Sequence, residues 1–280
     1  GSGDMYPLLE QVMVRRTRQD VKRRQDAGEV ITLPGKGEIR FPERHLHSVS
    51  YDLTTTYDGF YEKIVGYIDS LKLVSFNIDL FRKGEETPEV QKSRQSSEAL
   101  IGILKTLYLK RLESSLQAFE ISIRRQQAFQ ERFVGTLLNG RLLDAATNRK
   151  LIALEADPEV TEAEILSLMD TLEDVEPTDY DLKAIRRELE LDSRTLQKIL
   201  DMVELAQRLP DESQRDAKLA EVKSLLGGEL AGRKVLIFSY YRDTAQYVYD
   251  QLCRDESWHG GWSRPPVIEV IHGDTKAERR

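Results

Sequence analysis

The chain has 280 residues, 40% of them hydrophobic and 32% charged, with a formal net charge of −7. No apolar run approaches the roughly 20 residues that span a bilayer, no secretory leader pattern opens the chain, and a single cysteine, Cys253, excludes an internal disulfide framework and fits a reducing, cytoplasmic setting. Charge is unevenly spread: Arg15, Arg16, Arg18, Lys22, Arg23 and Arg24 crowd one stretch, while acidic residues from Glu155 to Asp192 dominate another, so the acidic total excludes no partner.

Gly1-Ser2-Gly3 reads as a cloning remnant and is set aside. Residues 5–24 read as a helix that leads into a basic turn and a loop around Gly28 and Leu33-Pro34-Gly35. From Glu38 to Leu53 apolar and polar residues alternate, which predicts an extended segment. Thr54 to Thr56 are placed to cap a helix through Tyr57, Phe60, Ile64 and Ile68. One long helix is predicted from Gln95 to Leu138. Its apolar positions Ile101, Leu104, Tyr108, Leu112, Leu116, Phe119 and Ile123 recur at helical spacing and form one continuous stripe. Pro158 and Pro177 bound a short acidic helix, and another helix runs from about Leu182 to Leu209, where Pro210-Asp211 stops it. A further helix carries Leu219, Val222 and Leu226 toward Gly227-Gly228.

The pattern changes after Gly232. Lys234 to Ser239 has the composition of a buried strand, Arg242 to Arg254 that of an amphipathic helix, and Val267 to Ile271 that of a second strand. A strand, a helix and a strand at this spacing predict a βαβ unit and a parallel sheet. Ser239 then falls at the carboxyl end of the first strand, and Gly273 and Thr275 at that of the second, the edge where open parallel sheets bind ligands. Gly273 lets a backbone approach a phosphate, Thr275 offers a hydroxyl, and the helix after them presents unpaired N–H groups. An ordinary strand-to-helix turn fits the same residues.

Other constellations point less far. His45 and His47 share one face of an extended segment without a third ligand at metal spacing, so no metal site is predicted. Trp258 and Trp262 suit base stacking or the covering of their own loop. Gly227 and Gly232 have phosphate-loop spacing, but Arg233-Lys234 follows where Lys-Ser/Thr is needed. Asp211-Glu212 and Asp255-Glu256 lie beside helix ends, not at the end of a buried strand, so no ATP site can be assembled.

Lys234-Val235-Leu236-Ile237-Phe238-Ser239-Tyr240-Tyr241, followed by Thr244, resembles motif IV of Swi/Snf-type ATPases in helicase superfamily two. His272-Gly273-Asp274-Thr275, with Arg280 beyond, resembles the glycine–threonine–arginine element of that family, and Asp216-Ala217-Lys218-Leu219 resembles its lead-in to the second lobe. Val12 to Val21, followed by Leu33-Pro34-Gly35-Lys36 and later Tyr57, is similar to the element that closes its first lobe. The pattern is closest to bacterial members.

The resemblance implies a mainly α chain with a partial α/β RecA-like lobe. Residues 4–36 would be the tail of lobe 1 and the hinge, 37–215 a helical middle region, and 216–280 the incomplete opening of lobe 2. It implies an internal fragment of an ATP-dependent DNA helicase or translocase, inactive alone, with ATP and Mg²⁺ bound by the intact parent and no cofactor held by the fragment. Ser239, Gly273, Thr275 and Arg280 would contact the phosphate backbone of duplex DNA, and Arg15 and Arg16 would couple the lobes. The basic cluster also fits a solvated helix face or direct DNA contact. The rival from another class is a helical interaction module that recruits a basic protein partner through the acidic region Glu155 to Asp192; neither reading involves a membrane.

Overall fold

The computed structural model describes residues 18–33, 37–38, 45–50, 59–138, 177–262 and 265–273. The chain divides into two units, 1–50 and 51–280. In the first, α1 (Arg18–Asp26) buries none of its residues, as its charge-rich sequence dictates. Gly28 then takes a left-handed φ of 89°, and Arg24 reaches across that turn to pair with Glu29. Two short strands, β1 (Thr32–Leu33) and β2 (Gly37–Glu38), pair antiparallel, with Thr32 opposite Glu38. Residues 45–50 carry no regular structure.

The second unit is built on four helices whose starts are written locally. Gly59, at φ 70°, precedes α2 (Phe60–Ser70), which buries Ile64 and Ile68. Thr87 caps α3 (Pro88–Ser114) by accepting from the Val90 N–H at 3.3 Å, and Pro88 occupies the first turn, where its missing N–H costs nothing. Asp181 caps α5 (Leu182–Gln207) through the Ala184 N–H at 3.1 Å. Between α3 and α5 lies α4 (Leu116–Leu138).

The single helix expected from Gln95 to Leu138 is two. Ser115 leaves the helical region (φ −164°, ψ 150°), and its hydroxyl accepts from the Ala118 N–H at 3.1 Å, so it caps α4 instead of continuing α3. Tyr108 donates to Gln126 Oε1 at 2.9 Å. In one straight helix residues 18 positions apart would be about 27 Å apart, so the chain doubles back at Ser115 and lays α4 against α3. The apolar stripe survives the fold: Leu104, Tyr108, Leu112, Leu116, Phe119 and Ile123 are all buried, in one core with Ile64 and Ile68 of α2 and Leu196, Ile199 and Val203 of α5. Phe76 stacks on Phe129 there, with ring centroids 4.9 Å apart.

Between α2 and α3 the chain makes two 3₁₀ turns, Val74–Phe76 and Ile78–Phe81. Leu73 enters them with φ 49°, a left-handed conformation rare for a branched residue. Buried Asp192 of α5 offsets that strain, accepting from the backbone N–H of Lys72 at 2.8 Å and of Val74 at 3.4 Å. A second, smaller core gathers Val74, Ile78, Phe133, Tyr180, Ile185 and Leu189. Within it Tyr180 donates to Asp79 Oδ1 at 3.2 Å; burial, reinforced by the Asp79 charge, pushes the phenol up to about 12.

Beyond α5 follow α6 (Glu212–Arg215), α7 (Ala217–Gly227), α8 (Arg242–Arg254) and α9 (Glu256–Gly260). The helix of the expected βαβ unit is present as α8, but its two strands are not. Lys234 to Ser239 and Val267 to Ile271 join no ladder among the described residues, and Leu236 and Phe238 are 83% and 88% exposed. A parallel strand of this composition is stable only when neighbours pair its backbone and helices cover both faces. The described residues supply neither, so the fold shown is mainly α. None of its described helices is long and apolar enough to cross a membrane. The acidic helix expected between Pro158 and Pro177 lies outside the described residues save for a 3₁₀ turn at Pro177–Asp179.

Candidate functional site

Of the residues expected to contact phosphate, Ser239 and Gly273 are described; Thr275 and Arg280, and the coupling residues Arg15 and Arg16, lie outside the described residues. Gly273 is exposed in a turn. The Ser239 hydroxyl folds back on its own turn, accepting from the Tyr241 N–H at 3.2 Å and donating to the Tyr241 carbonyl at 3.0 Å. A hydroxyl has one proton to give. To donate to an anion, Ser239 must release the Tyr241 carbonyl, a rotation of one side-chain bond.

The turn leads directly into α8, and the start of α8 is seated in the break between α3 and α4. Arg111 of α3, almost fully buried, donates from Nη1 to Asp243 Oδ2 at 2.9 Å, and its guanidinium lies 4.7 Å from the centre of the Tyr241 ring. Thr244 is buried beside them, its Oγ1 2.8 Å from Ser114 Oγ and 3.0 Å from Ser115 Oγ. An acid in the first turn suits the positive end of the α8 dipole, and the buried arginine neutralises that acid in turn. Burial pushes the Tyr241 phenol up, and the Arg111 charge opposes that shift.

The same break is held from a second side. Lys218 of α7 donates to the carbonyls of Glu113 at 2.8 Å and Ser114 at 3.3 Å, serving oxygens that the end of α3 leaves without helical partners. Two residues earlier, Asp216 caps α7 through the Leu219 N–H at 2.9 Å. Burial pushes its carboxyl up, while that N–H and the Tyr247 hydroxyl of α8 pull it down.

Farther along, Lys223 of α7 is clamped between Asp255, at 2.5 Å, and Glu212. Asp255 also accepts from Ser257 Oγ at 2.6 Å and the Trp258 N–H at 3.0 Å, and these donors, Lys223 first, hold its carboxyl well below the usual range. The Trp258 indole donates to the Lys223 carbonyl at 3.2 Å, and its ring meets Trp262 edge-on at 5.2 Å. Trp258 thus packs its loop onto α7. Among the described residues no group of three or more His, Cys, Asp or Glu side chains is placed to hold a metal ion.

Comparison with known protein families, with curated proteins and with solved structures finds no match to this chain. The residues that assemble the seat therefore rest on geometry. Thr244 was visible in sequence, three positions beyond the Lys234–Tyr241 block; Arg111 and Asp243, 132 positions apart, were not. One signal pointed to Arg111: it lies three positions after Tyr108 and four before Ser115, a charge on the edge of the apolar stripe, where a buried partner is needed.

Proposed function

We propose that the chain is part of an ATP-dependent DNA translocase or helicase of the Swi/Snf type, supplying its lobe-coupling and DNA-backbone elements. The observation that carries this reading is the order of its sequence blocks: Val12 to Val21 with Leu33 to Lys36, then, some two hundred residues on, Lys234 to Tyr241 with His272 to Thr275. In this reading residues 216–280 open a RecA-like lobe. The bare side chains of Leu236, Phe238 and Val267 favour it, because apolar runs of strand composition are costly to leave in water and call for a sheet to cover them. Ser239, Gly273, Thr275 and Arg280 contact the phosphate backbone, and Arg15 and Arg16 couple the lobes. ATP is the substrate of the whole motor, and no residue of this chain is assigned to its hydrolysis.

The test is DNA-stimulated ATP turnover in the intact motor. Ser239→Ala and Thr275→Ala should each lower it by about tenfold, the effect of losing a charge-assisted hydrogen bond. Unchanged turnover in both variants would remove these residues from the DNA path.

A further inference from the structure

We infer that Arg111 is the positioning residue of the Ser239–Thr244 turn: through it, the break between α3 and α4 sets where the Ser239 hydroxyl points. The connection is continuous. The Arg111 guanidinium packs on the Tyr241 ring and bonds Asp243, and both backbone polar groups of Tyr241 bond the Ser239 hydroxyl. Thr244, one residue past Asp243, is fastened to Ser114 and Ser115. The turn is thus held on both sides of Arg242 by residues from the helical region, more than a hundred positions earlier in the chain.

The chemistry requires arginine at 111. A planar guanidinium can bond a carboxylate at its edge and pack a ring on its face at once. An ammonium offers a point charge and cannot do both in one plane. A buried ion pair is also weak evidence for stability, since desolvation offsets most of its attraction. What the pair supplies here is direction: Asp243 fixes the azimuth of α8, and Tyr241 fixes the turn before it. The helical region and the Ser239 turn then move as one body.

The part of this inference that concerns DNA rests on the function proposed above, and the experiment separates the two. Hydrogen exchange is followed in the full chain for wild type, Arg111→Met, Arg111→Lys and Asp243→Asn, comparing residues 239–244 with the core of α5. Positioning predicts exchange at the Tyr241 amide at least tenfold faster in all three variants, with α5 unchanged; failure of lysine to rescue shows that charge alone is insufficient. Unchanged exchange at Tyr241 overturns the inference, and so does equal acceleration in α5, which marks a general loss of stability. Should Arg111→Met not fold, Asp243→Asn, whose site is nearer the surface, carries the comparison. In parallel, binding to a 20-base-pair duplex is read by anisotropy. Arg111→Met and Ser239→Ala should weaken it by similar factors and the double variant no further; additive losses overturn the link from Arg111 to Ser239. A wild-type chain without affinity for the duplex sinks the DNA reading, while the exchange result still decides the positioning role.

Discussion

The helical core and the segments flanking α8 both carry large apolar residues, and these meet opposite fates. Leu104, Phe119, Ile123, Leu196 and Val203 are sealed inside, whereas Leu236, Phe238, Val267 and Ile271 stand in solvent. The difference lies in where the backbone hydrogen bonds go. A helix satisfies its own N–H and C=O groups and needs only one covered face, so α2, α3, α4 and α5 complete each other within the chain. A strand can satisfy nothing alone. Its apolar side chains are a demand for neighbours, and until those arrive they remain exposed.

That contrast can be broken at three points. The largest effect is expected at Phe119, fully buried in the core: Phe119→Ala should destabilise the chain by about 3–5 kcal/mol in denaturant unfolding. A loss below about 1 kcal/mol would mean that the core is not close-packed. An intermediate effect is expected at Asp192, where Asp192→Ala leaves the amides that hold the Leu73 turn unpaired, at a cost of about 1–3 kcal/mol.

Asp192 also carries a pH signature. Burial, with Glu188 adding to it, raises its carboxyl against the pull of the Lys72, Val74 and Leu73 N–H groups. The folded state therefore binds more protons than the unfolded chain from the ordinary aspartate value of about 3.9 up to the raised one. Its contribution to stability falls as pH rises through that window and is level above it. Asp192→Asn should remove that slope from the wild-type curve; an identical slope in the variant would assign it elsewhere. The smallest effect belongs to the other side of the comparison. Phe238→Ala should change stability by no more than about 0.5 kcal/mol, because an 88% exposed ring has little burial to lose. A cost near that of Phe119→Ala would show that the segment is covered in solution.

Most of the acidic region, and Arg15 and Arg16 of the basic cluster, lie outside the described residues, whereas Arg18, Lys22, Arg23 and Arg24 stand on α1, which buries none of its residues. What could be compared locally was mostly legible. Leu182 and Pro210 mark the ends of α5 to within about two residues, and the spacing of Leu219, Val222 and Leu226 marks α7, whereas α3 starts at Pro88, seven residues before the expected Gln95. Ser115 caps α4, but the unbroken apolar spacing across it argued for one helix. Spacing reports which side chains share a face; it does not report whether the face is straight or folded on itself.

By itself, then, the sequence determined a mainly helical chain, the edges of α5 and α8 and the stripe that becomes the core, because each depends on neighbours within a few residues. Only the tertiary structure decided that the stripe folds back at Ser115, that Asp192 reaches across 118 positions to hold the turn after Leu73, and that Arg111 seats the start of α8. Those contacts join residues with no shared periodicity, and they form because burying a charge or an unpaired amide leaves a need that only a distant partner can meet.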